Sequence, residues 1–439
     1  MKRNHFDCSC CIFAGCRHTI FEYSCLSTDF ISDVYLEGPL SANCLSVSWN
    51  NTSEWTKVTP VDTVHLLFMS HLDVGFTGLI NEVLQSYISS HFPRAAALSA
   101  AMRAACKGPK CDAFVYTTHP WLISLYLHCP AWTLAGVRLE CPTQQQQADL
   151  RASLVSGDLL FHAAPFNVEW ENVMTEDMAD VFFQLAKDIA AEVGVPAPRT
   201  ASVRDVPGFT RGIIPLAVRN NVTFISEGVN SETAPPMLLS PSVWLDKDSN
   251  TSILYVQHNG GYGRAAGNGD AQVGDGNCAR IPGFTQVLCF SFYGEGHGPP
   301  DSVEDVQSTF AAFRSLFPNA TVVASSFDKF FDALATFAPH LPVNTAEAGE
   351  SWINGVAGDV SKTVLYRQSA LALTACKERG ECDMTDKRLR DWGRLVLKTP
   401  EHTWGLPTLG DSRSWTNEAL RTQRATNPVF QRWEASWID

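Results

Sequence analysis

Eight short apolar runs set the strongest limit on how this 439-residue chain can fold. They fall at 64–69, 113–117, 159–163, 201–204, 222–225, 253–257, 286–292 and 321–325, and each ends in polar or glycine-rich residues. A short run without polar alternation suits a strand buried on both faces. Amphipathic stretches lie between several of the runs. The clearest is 175–193, where Thr175 supplies an N-cap, Met178, Phe182, Leu185 and Ile189 mark one face, and Gly194 stops the helix. Residues 146–156 end at Gly157 in the same way. Strand and helix in alternation predict a mostly parallel α/β sheet. Seven or eight such units within about 280 residues favour a (β/α)7–8-type barrel, with an open, doubly wound sheet as the alternative. After residue 350 the strand pattern stops. Residues 360–398 and 413–436 read as helix, with Tyr366, Ala370, Leu373, Leu389, Trp392 and Val396 facing inward. Three regions follow: an irregular, Cys-rich extension over 1–58, an α/β barrel over 59–345 and a helical segment over 346–439.

Composition narrows the partners. With 33 Lys+Arg against 46 Asp+Glu, the net charge is −13 and no basic run occurs. That argues against nucleic acid or an anionic membrane, and fits a neutral ligand or a cation held by carboxylates. No segment reaches the roughly 18 consecutive apolar residues of a membrane span. The first residues do not make a convincing signal peptide. Other features are nonetheless those of a secreted or lumenal protein. Eight of the 14 cysteines fall into close pairs, Cys106 and Cys111, Cys129 and Cys141, Cys278 and Cys289, Cys376 and Cys382, which suits disulfides in an oxidising compartment. N-x-[ST] sequons occur at Asn221, Asn250, Asn319 and the overlapping Asn50 and Asn51.

In a parallel barrel the active site lies at the C-terminal ends of the strands. Polar residues gather where those ends fall: His71 and Asp73, His119 and Trp121, His162 and Asn167, Asp205, Glu227, His258 and Tyr262, Glu295 and His297. Such a bowl suits a metal-assisted or carbohydrate-directed site. Imidazole and carboxylate two residues apart point the same way in extended chain, and both are good ligands for Zn²⁺. Alone, His-x-Asp is more often a strand end followed by a turn cap.

"SHLDVGFT" (70–77) resembles the His-x-Asp segment of glycoside hydrolase family 38, the α-mannosidases, and is most similar to a side branch reading H-L-D-V-G-F/Y-T. "VRDVPGFTRGIIPLA" resembles the second family motif, "GESWINGVAGDVSKTVLYRQ" the W-x-x-G-x-x-x-D segment that leads into a helical bundle, and "EHTWGLPT" the region of a late histidine. The likeness spans residues 60–410 or so. It implies a metal-dependent retaining glycosidase with an oligosaccharide or glycoconjugate substrate. One Zn²⁺ would be held by His71, Asp73, Asp205 and His402, with Asp205 also the nucleophile. For the acid/base the nearest carboxylate is Glu295, and Glu227 competes. Trp121, His162, Asn167, Glu227, His258, Tyr262 and Trp404 are the candidate substrate-binding residues, with Trp170 and Glu169 beside them. Without the resemblance, Asp205 before Pro207 reads more naturally as a helix cap.

The chain departs from the family pattern at Met69, Val74 and Phe76, where a histidine, a proline and a tryptophan are usual. It also ends at Asp439, before the β-sandwich domains of family members. Two other readings therefore stand beside the glycosidase. One is a carbohydrate-binding protein without turnover. The other is a metal-dependent deacetylase or hydrolase on a similar barrel, in which the metal activates water.

Overall fold

The computed structural model of the chain describes residues 59–108, 111–134, 136–173, 175–230, 233, 235–258, 278–293, 296–350, 352, 360–403 and 416–438. The extension expected over 1–58 lies outside them. All eight apolar runs contain or overlap strands: β1 (Thr63–Ser70), β2 (Tyr116–Thr118), β3 (Leu159–Phe161), β4 (Thr200–Asp205), β5 (Phe224–Val229), β6 (Thr251–Gln257), β7 (Gln286–Tyr293) and β8 (Thr321–Ala324).

Seven of these form an α/β barrel of parallel strands. β7, β1, β2 and β3 are hydrogen-bonded in that order, as are β4, β5 and β6. One seam is bridged where the Ala163 N–H donates to the Thr200 carbonyl at 2.7 Å, joining the end of β3 to the start of β4. At the other seam, Leu254 and Val256 of β6 pack with Leu288 and Phe290 of β7. β8 pairs with β1 from Thr63↔Thr321 to Leu66↔Ala324, and β2 takes over at Phe68↔Tyr116.

Strand parity explains the unbroken apolar runs. In β1, Val64, Leu66 and Phe68 belong to the cluster that packs with the helices, while Leu67 and Met69 belong to the second cluster with Leu254 and Phe290. Both faces exclude water, so they are mostly apolar and a polar residue among them needs buried partners, as His65 finds in Ser325 and Gln286. The helix after β8 matters for the site. Phe327, Phe330 and Phe331 of that helix (Phe327–Ala335) join the second cluster, with Phe331 stacked on Phe224 at 5.0 Å and Phe327 5.7 Å from Phe290. The Asp328 carboxylate accepts hydrogen bonds from the Thr200 hydroxyl and the Arg199 N–H. This helix therefore packs at the entry ends of the strands, and the exit ends are left to carry chemistry.

The expected helix signals are realised. Thr175 accepts a hydrogen bond from the Met178 N–H and caps Glu176–Val193, which stops at Gly194 with φ 78°. Gln144–Ser156 stops at Gly157, φ 77°. The two long helical stretches are each broken. Val360–Glu378 ends before Gly380, φ 67°, in a turn closed by the Cys376–Cys382 disulfide, and Lys387–Val396 follows. Asn417–Thr426 and Pro428–Ile438 are divided at Pro428, which has no N–H to continue the first helix. Tyr366, Ala370 and Leu373 are buried as expected. Leu389, Trp392 and Val396 are only half-buried; the innermost positions are Gly393 and Leu397. A Cβ on Gly393 would come 3.2 Å from Val181 Cγ1, so glycine lets this helix approach Glu176–Val193 closely. The four close cysteine pairs are all disulfides. No described helix is long and apolar enough to cross a membrane.

Phe330 is fully buried against Phe331, Phe284 and His65. Phe330→Ala should lower stability by about 3–5 kcal/mol, the usual range for emptying a core phenylalanine site. Urea unfolding monitored by tryptophan fluorescence measures it.

Candidate metal centre

The chain leaves β1 at Ser70 and turns, so His71 and Asp73 stand at the exit end of the barrel. Their side chains meet, with His71 Nε2 2.8 Å from Asp73 Oδ1. Asp205 is the last residue of β4 and has φ 79°. This left-handed backbone is uncommon outside glycine and breaks the in/out alternation of the strand. Asp205 Oδ2 lies 3.8 Å from His71 Nε2. His402 arrives from the far end of the chain, its Nε2 3.1 Å from Asp205 Oδ2 and 3.2 Å from Asp73 Oδ1. One donor atom from each of the four residues lies within 4.8 Å of the others, and all four residues are buried. Two imidazole nitrogens and two carboxylate oxygens in this compass are a fitting donor set for a divalent ion.

The charges of the cluster sustain one another. Burial by itself would raise the Asp73 carboxyl, but the His71 and His402 imidazoles outweigh it and hold the group well below the usual carboxylate range. Asp205 is lowered on the same balance, with His402 the main opposing partner. Burial would depress His402; hydrogen bonds to Asp205 and Asp73 and the Glu401 charge reverse this and hold it well above its ordinary value.

A supporting layer orients these groups. Glu401 is fully buried, with Oε1 2.9 Å from His402 Nδ1, an ion-pair distance although not in line for a hydrogen bond. Its carboxylate also meets Lys398 Nζ at 2.7 Å and accepts from the Thr403 hydroxyl. Thr403 in turn accepts from the Gly75 N–H at 3.0 Å, which ties the late histidine to the loop after β1. Asn167 donates to the Leu72 carbonyl at 3.0 Å and accepts from the Arg204 N–H at 2.9 Å, linking the ends of β1 and β4. Asn230 donates to Asp205 Oδ1 at 2.8 Å, leaving Oδ2 to the histidines. Trp352 is half-buried with its ring nearly parallel to His402, centroids 6.4 Å apart. Sequence reasoning singled out none of Glu401, Asn230 and Trp352 for a role. Glu401 and Trp352 lie inside motifs quoted above, and Asn230 ends the polar stretch Ser226–Asn230 at a strand exit, where the sequence places it in the bowl without a specific partner.

The other candidate residues are placed differently. Trp121 is 1% exposed, donates its indole N–H to the Arg394 carbonyl at 2.7 Å and packs on Phe166, so it is a core residue and not an open stacking platform. Trp170 is likewise packed, stacked on Phe183. His162 pairs with His119 at 3.0 Å inside the barrel; burial pushes His162 down to about 3 and His119 well below its usual range. His258 packs edge-on against Phe290. Glu227 is fully buried, accepting from the Gly208 N–H at 2.7 Å and from the Tyr255 hydroxyl, and burial pushes its carboxyl up to about 7. Glu169 bonds Asn172, and burial pushes it up to about 8. None of Trp121, His162, Asn167, Glu227 and His258 is more than 2% exposed, because each lies beneath the rim or in the helix-packed core. Tyr262, Glu295 and Trp404 lie outside the described residues.

No family profile and no curated protein matches the chain. Solved structures with a similar chain trace include an alpha-mannosidase from Enterococcus faecalis V583, at 14% identity and TM-score 0.48, covering 65% of this chain and 31% of that one. A 4-alpha-glucanotransferase from Thermococcus litoralis follows at 9% identity and TM-score 0.39, covering 75% and 46%. The alpha-amylase AmyC from Thermotoga maritima has the same identity and score, covering 76% and 97%. Likeness at this distance says nothing of activity. The chain spans about a third of the length of the mannosidase.

Two outcomes follow from the geometry. Glu401→Gln removes the charge beside His402, and if the four residues hold a divalent ion its affinity, measured against a competing chelator, should fall about 10–100-fold. Glu227 has its carboxyl raised from 4.5 to about 7 in the fold, so its contribution to stability is fully present below pH 4.5 and is lost as pH rises through 7. Relative to wild type, Glu227→Gln should therefore gain stability between pH 5 and 8, by on the order of 3 kcal/mol at the limit. Urea denaturation of both proteins at the two pH values measures the change.

Proposed function

We propose that this chain is a metal-dependent glycoside hydrolase of α-mannosidase type, acting by retaining double displacement through an aspartyl glycosyl-enzyme. One observation carries the reading. The four residues that the motif resemblance nominates, from three distant parts of the chain, meet within 4.8 Å at the exit end of a parallel barrel. His71, Asp73, Asp205 and His402 would hold the ion, taken to be Zn²⁺. When bound, it supplies a Lewis-acidic centre for a sugar's ring hydroxyls.

The chain's own residues have separable tasks. Asp205 attacks the anomeric carbon through Oδ1, whose position Asn230 fixes at 2.8 Å. As that bond forms, the glycosidic C–O bond breaks and the departing oxygen takes a proton from the general acid. Water then attacks the same carbon, gives its proton to the same group and releases Asp205, so configuration is retained. Glu227 is committed to Gly208 and Tyr255, so the acid/base role goes to Glu295, the next candidate carboxylate in the sequence after β7. Trp352 beside His402, together with Tyr262 and Trp404, would give the sugar its apolar surface.

The purified protein should carry close to one zinc per chain by elemental analysis, and His71→Ala should lose most of it. It should hydrolyse a 4-nitrophenyl α-glycoside in a zinc-dependent way, with the α-mannoside tried first. Asp205→Asn should lose more than the roughly 10²–10⁴-fold typical of removing a general acid, and a 2-deoxy-2-fluoro or 5-fluoro glycosyl fluoride should label Asp205. Label on another carboxylate would remove Asp205 as nucleophile. Zinc uptake with no turnover of any glycoside would favour the carbohydrate-binding reading.

A further inference from the structure

Three sequons fall within the described residues: Asn221-Val222-Thr223, Asn250-Thr251-Ser252 and Asn319-Ala320-Thr321. All three asparagines are exposed. Asn221 and Asn250 have left-handed backbone, φ 62° and 53°, which asparagine tolerates better than most residues. Among the described residues, none of the three side-chain amides has a hydrogen-bond partner. A glycan is bulky and hydrated, so it can be carried only where the folded chain leaves the amide in solvent.

The barrel also places them together. Asn221 stands in the turn after the helix Ile213–Arg219 and just before β5. Asn250 is in the turn that enters β6, and Asn319 in the turn between the helix Val303–Leu316 and β8. β4 pairs in parallel with β5 from Thr200↔Phe224, β6 pairs in parallel with β5, and β8 pairs in parallel with β1 from Thr63↔Thr321. All three asparagines are therefore at the entry ends of parallel strands. His71 and Asp73 follow the exit of β1, and Asp205 closes β4, at the opposite end. The four disulfides are an independent observation that points to an oxidising compartment, where sequons meet their glycosylation machinery.

We infer that Asn221, Asn250 and Asn319 carry N-linked glycans, grouped on the face opposite the metal cluster so that the site mouth stays clear of them. In the modification, the amide Nδ2 loses a proton and bonds the anomeric carbon of an oligosaccharide. The bond from that carbon to the donor's oxygen breaks, and a lipid pyrophosphate leaves.

The test is expression of the full chain behind a secretory leader in a eukaryotic host, followed by enzymatic release of N-glycans in H₂¹⁸O. Each occupied asparagine then appears in peptide mass spectra as an ¹⁸O-labelled aspartate. Label at two or three of these positions is expected. Thr223→Ala, Ser252→Ala and Thr321→Ala, which keep the asparagine and its turn, should each remove one label and leave zinc uptake unchanged. Label at none or only one of the three in secreted protein overturns the inference. So would loss of zinc uptake in the fully glycosylated protein that enzymatic removal of the glycans restores. Neither outcome bears on whether His71, Asp73, Asp205 and His402 bind zinc, which unglycosylated protein tests separately.

Discussion

β1 is the strand on which the rest of the structure depends. It is hydrogen-bonded along its whole length to β7, over its first half to β8 and at Phe68 to β2. Its side chains reach both hydrophobic clusters, with Val64, Leu66 and Phe68 in one and Leu67 and Met69 in the other. A strand held on both edges and both faces has little freedom to shift register, because a slip by one residue would exchange its two faces. The chain that leaves its end is therefore delivered to a defined place. This gives His71 and Asp73 a fixed place beside Asp205 and His402, since elements of a rigid scaffold place groups better than loops do.

The candidate metal cluster has a cost that the fold must meet. Four titratable groups are taken nearly out of water, which is unfavourable for each alone. The offset comes from their mutual arrangement. The imidazoles keep Asp73 and Asp205 ionised, and the carboxylates of Asp205, Asp73 and Glu401 hold His402 high. The signs matter for stability. His402 contributes below its ordinary value of 6.5 and loses that contribution as pH rises through its higher folded value. Asp73 and Asp205 contribute above 3.8 and lose it as pH falls through their lowered values. Beneath the cluster the barrel interior is polar but closed, with Arg204 bonded to the Ser226 carbonyl and set over Phe290, and His119 paired with His162.

A parallel barrel has two chemically distinct ends, and this chain uses them differently. The exit ends bear the imidazoles and carboxylates. At the entry ends lie the phenylalanine-rich helix Phe327–Ala335 and the turns holding Asn221, Asn250 and Asn319. The direction of the strands separates packing and surface turns from the candidate chemistry without any separate domain.

Sequence alone determined the elements. The eight parallel strands were legible because burial on both faces leaves mostly apolar residues without regular polar alternation, whereas the antiparallel strand Ser242–Asp246 lay outside the apolar runs. The caps Thr175, Gly157 and Gly194 were legible because their chemistry is local. The disulfides were legible from spacing, and His71 with Asp73 from their i, i+2 relation. Resemblance, not local pattern, brought Asp205 and His402 to the same list. What only the tertiary structure decided was which of the polar residues near strand ends come together and which are buried apart. Trp121 and Glu227 looked equivalent to Asp205 in sequence, yet one is pinned to Arg394 and the other to Gly208 and Tyr255. Asn230 and Glu401 show their roles only once β5 and the late loop are packed beside β4 and β1. The reason is physical: periodicity and capping act over a few residues, whereas a ligand set is made by the path of the chain between distant segments, and that path is fixed by packing.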